Sequence, residues 1–153
     1  MGLEIGPLYL RRSAFIEATP ERVWQEFASA KRFAAWFGHG HTLERFTPVV
    51  GSEVVFSVEL DGVVERFGGR LLVFEPGREL SYESNWLGEG AWPSATFHTI
   101  RLSAAYSGTS VELYHHGFER LGAQAGAELE DYEAGWSNHH LVRLRTIVEG
   151  AGA

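Results

Sequence analysis

The spacing of apolar and polar residues predicts a strand and then two short helices at the start of the chain. Apolar side chains in residues 8–18 fall mostly on one parity, which is typical of a half-buried strand. The period then becomes helical: Thr19 can act as the N-cap, and Pro20 suits the first helical position. A second short helix is predicted at about residues 30–37, before a glycine-containing segment.

The middle of the chain, from about residue 42 to residue 119, shows strand-type alternation interrupted by short turns. The clearest strand segments are 53–60, 63–74, 79–86, 95–104 and 109–118. Asp61-Gly62, between the first two segments, is the strongest hairpin signal in the chain. Because such short turns join antiparallel neighbours, the segments are predicted to form a meander.

The last predicted element is a helix at about residues 123–149, about 40 Å long if it is continuous. At about 100° per residue, one stripe of this helix is apolar apart from two polar members. The stripe contains Leu129, Tyr132, Trp136, His140, Arg143 and Ile147. Gly135 costs about 1 kcal/mol inside a helix relative to alanine, and we expect a close approach to the sheet as its compensation.

Composition and charge narrow the class of protein. The 153 residues suit one domain spanning 1–153, and a hydrophobic content of 44% is typical of soluble globular domains. A net charge of −7 would repel nucleic acid and anionic membranes, so neither is expected as a partner. The absence of cysteine excludes a disulfide framework, a thiolate zinc site and a cysteine nucleophile. No apolar run has the length of a signal peptide or a membrane span, so the expected location is the cytoplasm.

Five segments, in their order along the chain, resemble a known family. They are ATPERVW at 18–24, AWF at 35–37, GRLLVFEPGREL at 69–80, GTSVELYHHGF at 108–118, and Gly135-Trp136. With them the sequence resembles the START-like superfamily, also called SRPBCC, and within it the bacterial homologues of the heat-shock-protein-90 ATPase activator domain. The resemblance implies an α+β helix-grip fold, in which a curved antiparallel sheet wraps around a long C-terminal helix and leaves a cavity between them. Members of the superfamily bind lipids, sterols, hormones or polyketides, and a few catalyse cyclisation or hydrolysis.

The chain departs from the family pattern in the last helix. Leucines are expected about four and seven positions after Trp136, but His140 and Arg143 stand there, and the leucines are displaced to Leu141 and Leu144. Either the cavity wall is more polar than in relatives, or the helix is locally rotated.

Seven side chains are the candidate ligand-binding residues of the expected cavity. They are His140, Arg143, Trp136, Tyr132, His115, Trp92 and Trp36. His140 and Arg143 are one helical turn apart, and a guanidinium in an apolar wall needs a carboxylate from an anionic ligand or from an internal glutamate. The tryptophans could stack on a flat ligand or belong to the core, and His115 could have a structural, hydrogen-bonded role.

Metal and cofactor sites have little support in the sequence. His39 and His41 form an H-x-H pair, but a third ligand at a recognisable spacing is missing, so we expect no metal and interpret the pair as polar loop residues. The dinucleotide, P-loop, zincin and serine-hydrolase motifs are absent, and we expect no cofactor.

These observations favour a non-enzymatic protein that binds a small, partly apolar ligand, which could be anionic, in the cavity. One alternative is a co-chaperone-like protein-interaction module, which a large exposed apolar patch away from the cavity would favour. Another is a cyclase or hydrolase with His140 or His115 as general base, which also needs a carboxylate within hydrogen-bond reach. The sequence leaves open whether the protein is a monomer or a homodimer.

Overall fold

The computed structural model describes residues 2–38 and 40–151, the last of these by its backbone alone, and contains a seven-stranded antiparallel sheet. The strands are β1 (Tyr9–Ile16), β2 (Thr42–Arg45), β3 (Glu53–Leu60), β4 (Val63–Glu75), β5 (Glu79–Leu87), β6 (Thr96–Ala105) and β7 (Gly108–His116). Their order in the sheet is β1-β7-β6-β5-β4-β3-β2. The predicted meander is therefore confirmed, and β1 joins it beside the last strand.

Two short helices connect β1 to the meander. Helix α1 (Pro20–Trp24) begins after Thr19, whose Oγ1 accepts a hydrogen bond from the backbone N–H of Arg22 at 3.1 Å. Helix α2 (Ala30–Ala34) is shorter than predicted, because the chain continues from it as turns.

Buried Glu26 joins the two helices. Its Oε2 accepts hydrogen bonds from Arg22 at 2.7 Å and from Arg32 at 3.0 Å. Its backbone oxygen accepts a hydrogen bond from Nε1 of Trp36, a side chain only 1% exposed and packed on Phe27 and Phe33. Trp36 therefore belongs to the core.

The C-terminal helical region is interrupted, whereas the sequence predicted one helix at about 123–149. A 3₁₀ segment (Phe118–Gln124) leads into α3 (Ala125–Gly135), and α4 (His139–Ala151) follows after three residues. Trp136 is extended, with φ −91° and ψ 130°, and the Ser137 Oγ accepts a hydrogen bond from the His139 N–H at 3.2 Å. A Cβ on Gly135 would meet no atom within 4 Å, so the expected close approach of Gly135 to the sheet is wrong.

The interruption shifts the inward face of α4. Leu141, Leu144 and Val148 are fully or almost fully buried, whereas Arg143 is exposed and donates a hydrogen bond to the backbone oxygen of Ala35 at 3.1 Å. Local rotation thus accounts for the position of Arg143, and the expectation that Arg143 faces the cavity is wrong. The physical reason is that the extended backbone between the helices resets the helical phase.

The C-terminal helices cover the concave face of the sheet, as the helix-grip fold requires. One core cluster lies between the sheet, the first helices and α4, and a smaller one contains Leu10, Phe118, Leu121 and Ala125. Trp136 packs against both clusters and contacts Arg12 on β1, His115 on β7 and His98 on β6, which places the helix interruption over the end of the sheet that contains β1. No helix in the described ranges combines the length and apolar character that spanning a membrane requires.

Candidate functional site

A cavity of about 460 Å³ lies between the concave face of the sheet and the start of α4. Its walls are mostly aromatic, with contributions from Phe37, Phe56, Phe67, Tyr82, Trp86 and Trp136. Trp92 and Tyr132 also line the cavity and contact each other edge to face, with ring centroids 6.1 Å apart.

The structure brings five of the seven candidate residues to this cavity. They are His140, Trp136, Tyr132, His115 and Trp92. Trp36 is in the core and Arg143 is on the surface, so neither contributes to the wall.

Three stacked rings cross the floor of the cavity. Tyr82 on β5 lies opposite His98 on β6, which lies opposite His115 on β7. The ring centroids are 5.1 Å apart in the first pair and 4.1 Å apart in the second, and both pairs are tilted by 20°. The sequence reasoning missed Tyr82 and His98; the parity that His98 shares with apolar Ile100 and Leu102 would have indicated its inward position.

The hydrogen bonds of His115 define its tautomer. The Thr96 hydroxyl donates to the backbone oxygen of Ser84 at 2.9 Å, so it can only accept from Nε2–H of His115, also at 2.9 Å. Nδ1 of His115 therefore carries a lone pair, and it has no hydrogen-bond partner within the part of the chain that the structure describes.

Burial keeps the cavity imidazoles of His98 and His115 uncharged. Burial lowers the pKa of His115 to about 3, with a smaller contribution from His116. The pKa of His98 is lowered well below its usual value by burial and then by the neighbouring imidazoles. Both rings are consequently neutral at pH 7 and are weak bases.

His140 fixes the segment that follows α2. Its ring stacks on Phe37 with centroids 4.8 Å apart, and its Nδ1 accepts a hydrogen bond from the backbone N–H of Gly38 at 3.3 Å. This segment carries the H-x-H pair. His39 lies outside the described residues, and His41 lines the cavity with its ring edge-on to Phe67. Among the residues that the structure describes, no group of three or more potential ligands is placed to hold a metal ion.

Asn85 holds the Trp92 loop against the cavity. Its Oδ1 accepts hydrogen bonds from the backbone N–H groups of Trp86 and Trp92, both at 2.8 Å, and its Nδ2 donates to the Trp92 oxygen at 3.1 Å. An asparagine before a long loop gives no sequence signal for this role, because its partners follow from the loop conformation.

The described residues that line the cavity include no aspartate, glutamate, lysine or arginine. Burial, and secondarily Glu128, raise the pKa of Tyr132 to about 12, and burial raises the pKa of Tyr82 well above its usual value. Both phenols therefore keep their protons at neutral pH. The buried part of the cavity, around Tyr82, His98, His115 and Tyr132, is therefore an uncharged aromatic site with hydroxyl and imidazole groups.

Comparisons with known proteins agree with this fold. The profile of the family described as "Activator of Hsp90 ATPase homolog 1-like protein" matches residues 17–149. A crystal structure of a protein from Chromobacterium violaceum is 24% identical, with a TM-score of 0.72, and the match covers 94% of this chain and 99% of that one. The solution structure of the Aha1 dimer from Colwellia psychrerythraea is 15% identical, with a TM-score of 0.59 and coverage of 94% and 97%.

DynU16, a protein of the dynemicin biosynthetic locus, is 21% identical with a TM-score of 0.65, and the match covers 94% of this chain but 48% of DynU16. Because all three solved structures are less than 25% identical to this chain, their similarity establishes the fold alone. No curated protein matches the chain.

Proposed function

The chain belongs to the activator of Hsp90 ATPase homolog 1-like protein family, and we propose that it binds a neutral, flat and mainly apolar small molecule in its cavity. The observation that carries this proposal is the cavity itself, which has aromatic walls, a few polar groups and a volume of about 460 Å³. Small-molecule sites are commonly concave, largely apolar and equipped with a few polar groups.

The volume of the cavity sets the size of the molecule. At the packing density of protein interiors, about 0.74, a cavity of about 460 Å³ holds about 340 Å³ of molecular volume, on the order of 20 non-hydrogen atoms. At about 0.3 kcal/mol per atom, the binding free energy is about 6 kcal/mol, which corresponds to a Kd in the tens of micromolar.

The proposed ligand is neutral, because the buried floor of the cavity, where His98 and His115 are uncharged, has no positive charge to pair with an anion. The sequence-based expectation of an anionic ligand rested on Arg143 together with His140, and Arg143, the permanent charge of the two, lies outside the cavity. Taking an unpaired charge out of water costs several kcal/mol.

Binding is favoured over cyclase or hydrolase chemistry by the state of the histidines. His115, with a pKa of about 3, is a weak general base at neutral pH. The described lining also offers no carboxylate to orient either candidate base.

The exposed apolar side chains of the β3–β4 hairpin do not favour the co-chaperone alternative. Leu60, Val63 and Val64 are about half exposed at its tip. Leu60 also lines the cavity, which leaves Val63 and Val64 as a small apolar patch beside its rim, less than the large patch that a docking surface needs.

The proposal is tested by blocking the cavity. Val58 is half-buried and lines the cavity, whereas Val64 on the same hairpin is 51% exposed and does not. We expect the neutral fluorescent probe N-phenyl-1-naphthylamine to bind the wild-type protein at one site. Val58→Trp should weaken this binding at least tenfold by filling the space, and Val64→Trp should leave it unchanged.

Native mass spectrometry of the freshly purified protein complements the titration, because a retained small molecule would reveal the ligand directly. Failure of the probe to bind, or equal losses in the two tryptophan variants, would contradict a binding cavity at this position.

A further inference from the structure

Two polar groups on the cavity floor have no hydrogen-bond partner among the residues that the structure describes. The Tyr82 hydroxyl and the His98 ring make none of the hydrogen bonds found within the described residues, although both side chains line the cavity. Of the two ring nitrogens of His98, only Nδ1 is enclosed without a partner. The Nε2 edge is therefore the polar edge of His98 that is open to the cavity.

The enclosed nitrogen indicates where the proton of His98 resides. A neutral imidazole carries one N–H, and a buried N–H without an acceptor is rarer in proteins than an acceptor without a donor. A proton on Nδ1 of His98 would be a buried N–H without an acceptor. The proton is thus placed on Nε2, and His98 presents a hydrogen-bond donor to the cavity.

The stacking of the rings brings a second donor beside it. Tyr82 and His98 lie face to face on neighbouring strands with centroids 5.1 Å apart, so only their edges are available to a ligand. Phe37 contacts both rings edge to face, with its ring centroid 6.4 Å from that of Tyr82 and 6.1 Å from that of His98. Phe37 thus places an apolar surface beside the two rings. One oxygen atom between the two edges can be about 3 Å from both donors.

We propose that Tyr82 and His98 together bind a carbonyl oxygen, and that the ligand is a planar aromatic ketone or quinone-type molecule. This inference rests on the proposed function and adds the chemical class of the ligand. A carbonyl oxygen has two lone pairs and no proton, which matches two donors. An aromatic hydrocarbon would leave both donors desolvated and unpaired, at a cost in affinity.

A matched pair of probes tests the inference. Fluorene and 9-fluorenone share a flat three-ring skeleton, and only the second carries a carbonyl oxygen. We expect 9-fluorenone to bind the wild-type protein about tenfold more tightly than fluorene, measured by quenching of tryptophan fluorescence. Tyr82→Phe and His98→Phe should each lower the 9-fluorenone affinity about three- to tenfold and change the fluorene affinity less than twofold.

Tyr106→Phe is the control for hydroxyl removal, because Tyr106 is fully exposed at the turn between β6 and β7. It should leave both affinities unchanged. A separate measurement on the wild-type protein uses long-range ¹H–¹⁵N spectra, in which Nε2 of His98 should carry the proton.

The outcomes separate the two proposals. Equal binding of the two probes, with no effect of either variant on 9-fluorenone, would overturn carbonyl recognition and leave the binding cavity standing. Binding of neither probe would overturn the proposed function and this inference with it. A proton on Nδ1 of His98 would overturn the inference even if a variant failed to fold.

Discussion

His116 shows how a single residue can be buried on the outer face of the sheet without carrying a charge. The Ser81 hydroxyl donates a hydrogen bond to Glu79 at 2.7 Å, so its oxygen accepts the hydrogen bond from the Thr99 hydroxyl at 2.9 Å. The Thr99 oxygen can then only accept from Nε2–H of His116, at 2.7 Å. Glu79 also accepts hydrogen bonds from the Leu3 N–H and from Arg101. The chain of hydrogen bonds has one direction and ends on a carboxylate whose negative charge is paired.

Gly135 is a residue at which a side chain should be tolerated. Its φ is not in the left-handed region, and a Cβ there would meet no atom within 4 Å. Gly135→Ala should therefore raise the free energy of unfolding by about 0.5 to 1 kcal/mol through helix propensity, measured by urea denaturation.

Gly117→Ala is the matched contrast. Gly117 has φ +86°, and a Cβ would come within 2.9 Å of the Phe97 ring, so this change should destabilise the protein. If Gly135→Ala destabilised the protein as much as Gly117→Ala, the open surroundings of Gly135 would be refuted.

At the scale of elements, the interruption between α3 and α4 is held from the sheet. Arg12 on β1 donates a hydrogen bond to the backbone oxygen of Trp136 at 3.0 Å, and its guanidinium lies 5.6 Å from the centre of the Trp136 ring. These contacts fix the backbone at the point where the helical phase changes, and they keep Trp136 in the cavity wall.

Arg12→Ala should therefore reduce both stability and binding. We expect a loss of about 1 to 2 kcal/mol in the free energy of unfolding and a several-fold weaker affinity for N-phenyl-1-naphthylamine, because Trp136 is no longer held. The neighbouring Arg11 forms an exposed ion pair with Glu112, and Arg11→Ala should change stability by less than about 1 kcal/mol and binding not at all. Indistinguishable titrations of the two variants would argue against a role of Arg12 at the interruption.

Local signals were enough to predict some elements and not others. The start of α1 could be predicted because Thr19 and Pro20 act within one helical turn, and the meander followed from short turns. The break after Gly135 could not be predicted. The hydrogen bond from the His139 N–H to Ser137 and the one from Arg12 to the backbone oxygen of Trp136 form only in the folded chain. For the same reason Arg143 was placed on the wrong face, and His98 emerged only once the register of β5, β6 and β7 was known.

For the whole molecule, the buried histidines make stability depend on pH. Burial lowers the pKa of His115 to about 3, and burial followed by the charge of Arg101 lowers that of His116 to about 4. The unfolded chain takes up these protons near the usual pKa of 6.5, whereas the folded protein does not. The contribution of these two histidines to the free energy of unfolding should thus be constant above about pH 6.5 and should fall as the pH decreases below it.

The expected loss by pH 4.5 is up to about 2.5 kcal/mol for each histidine, measured by urea denaturation at pH 7, 5.5 and 4.5. The depressed pKa of Glu79 acts in the same direction, because its paired charge is lost on protonation. His116→Gln should reduce the pH dependence without abolishing it, because His115 and Glu79 remain, and the same change at exposed His139 should preserve it. A wild-type protein as stable at pH 4.5 as at pH 7 would contradict neutral burial of these rings.

The interruption at residues 136–138 also has a kinetic consequence. Ala125 is the one buried residue of α3, whereas α4 buries Leu141, Leu144 and Val148 in the main core. Helix α3 can therefore open by local unfolding while α4 stays packed, at a fraction of the global free energy. The backbone amide hydrogens of α3 should then exchange with solvent faster than those of α4.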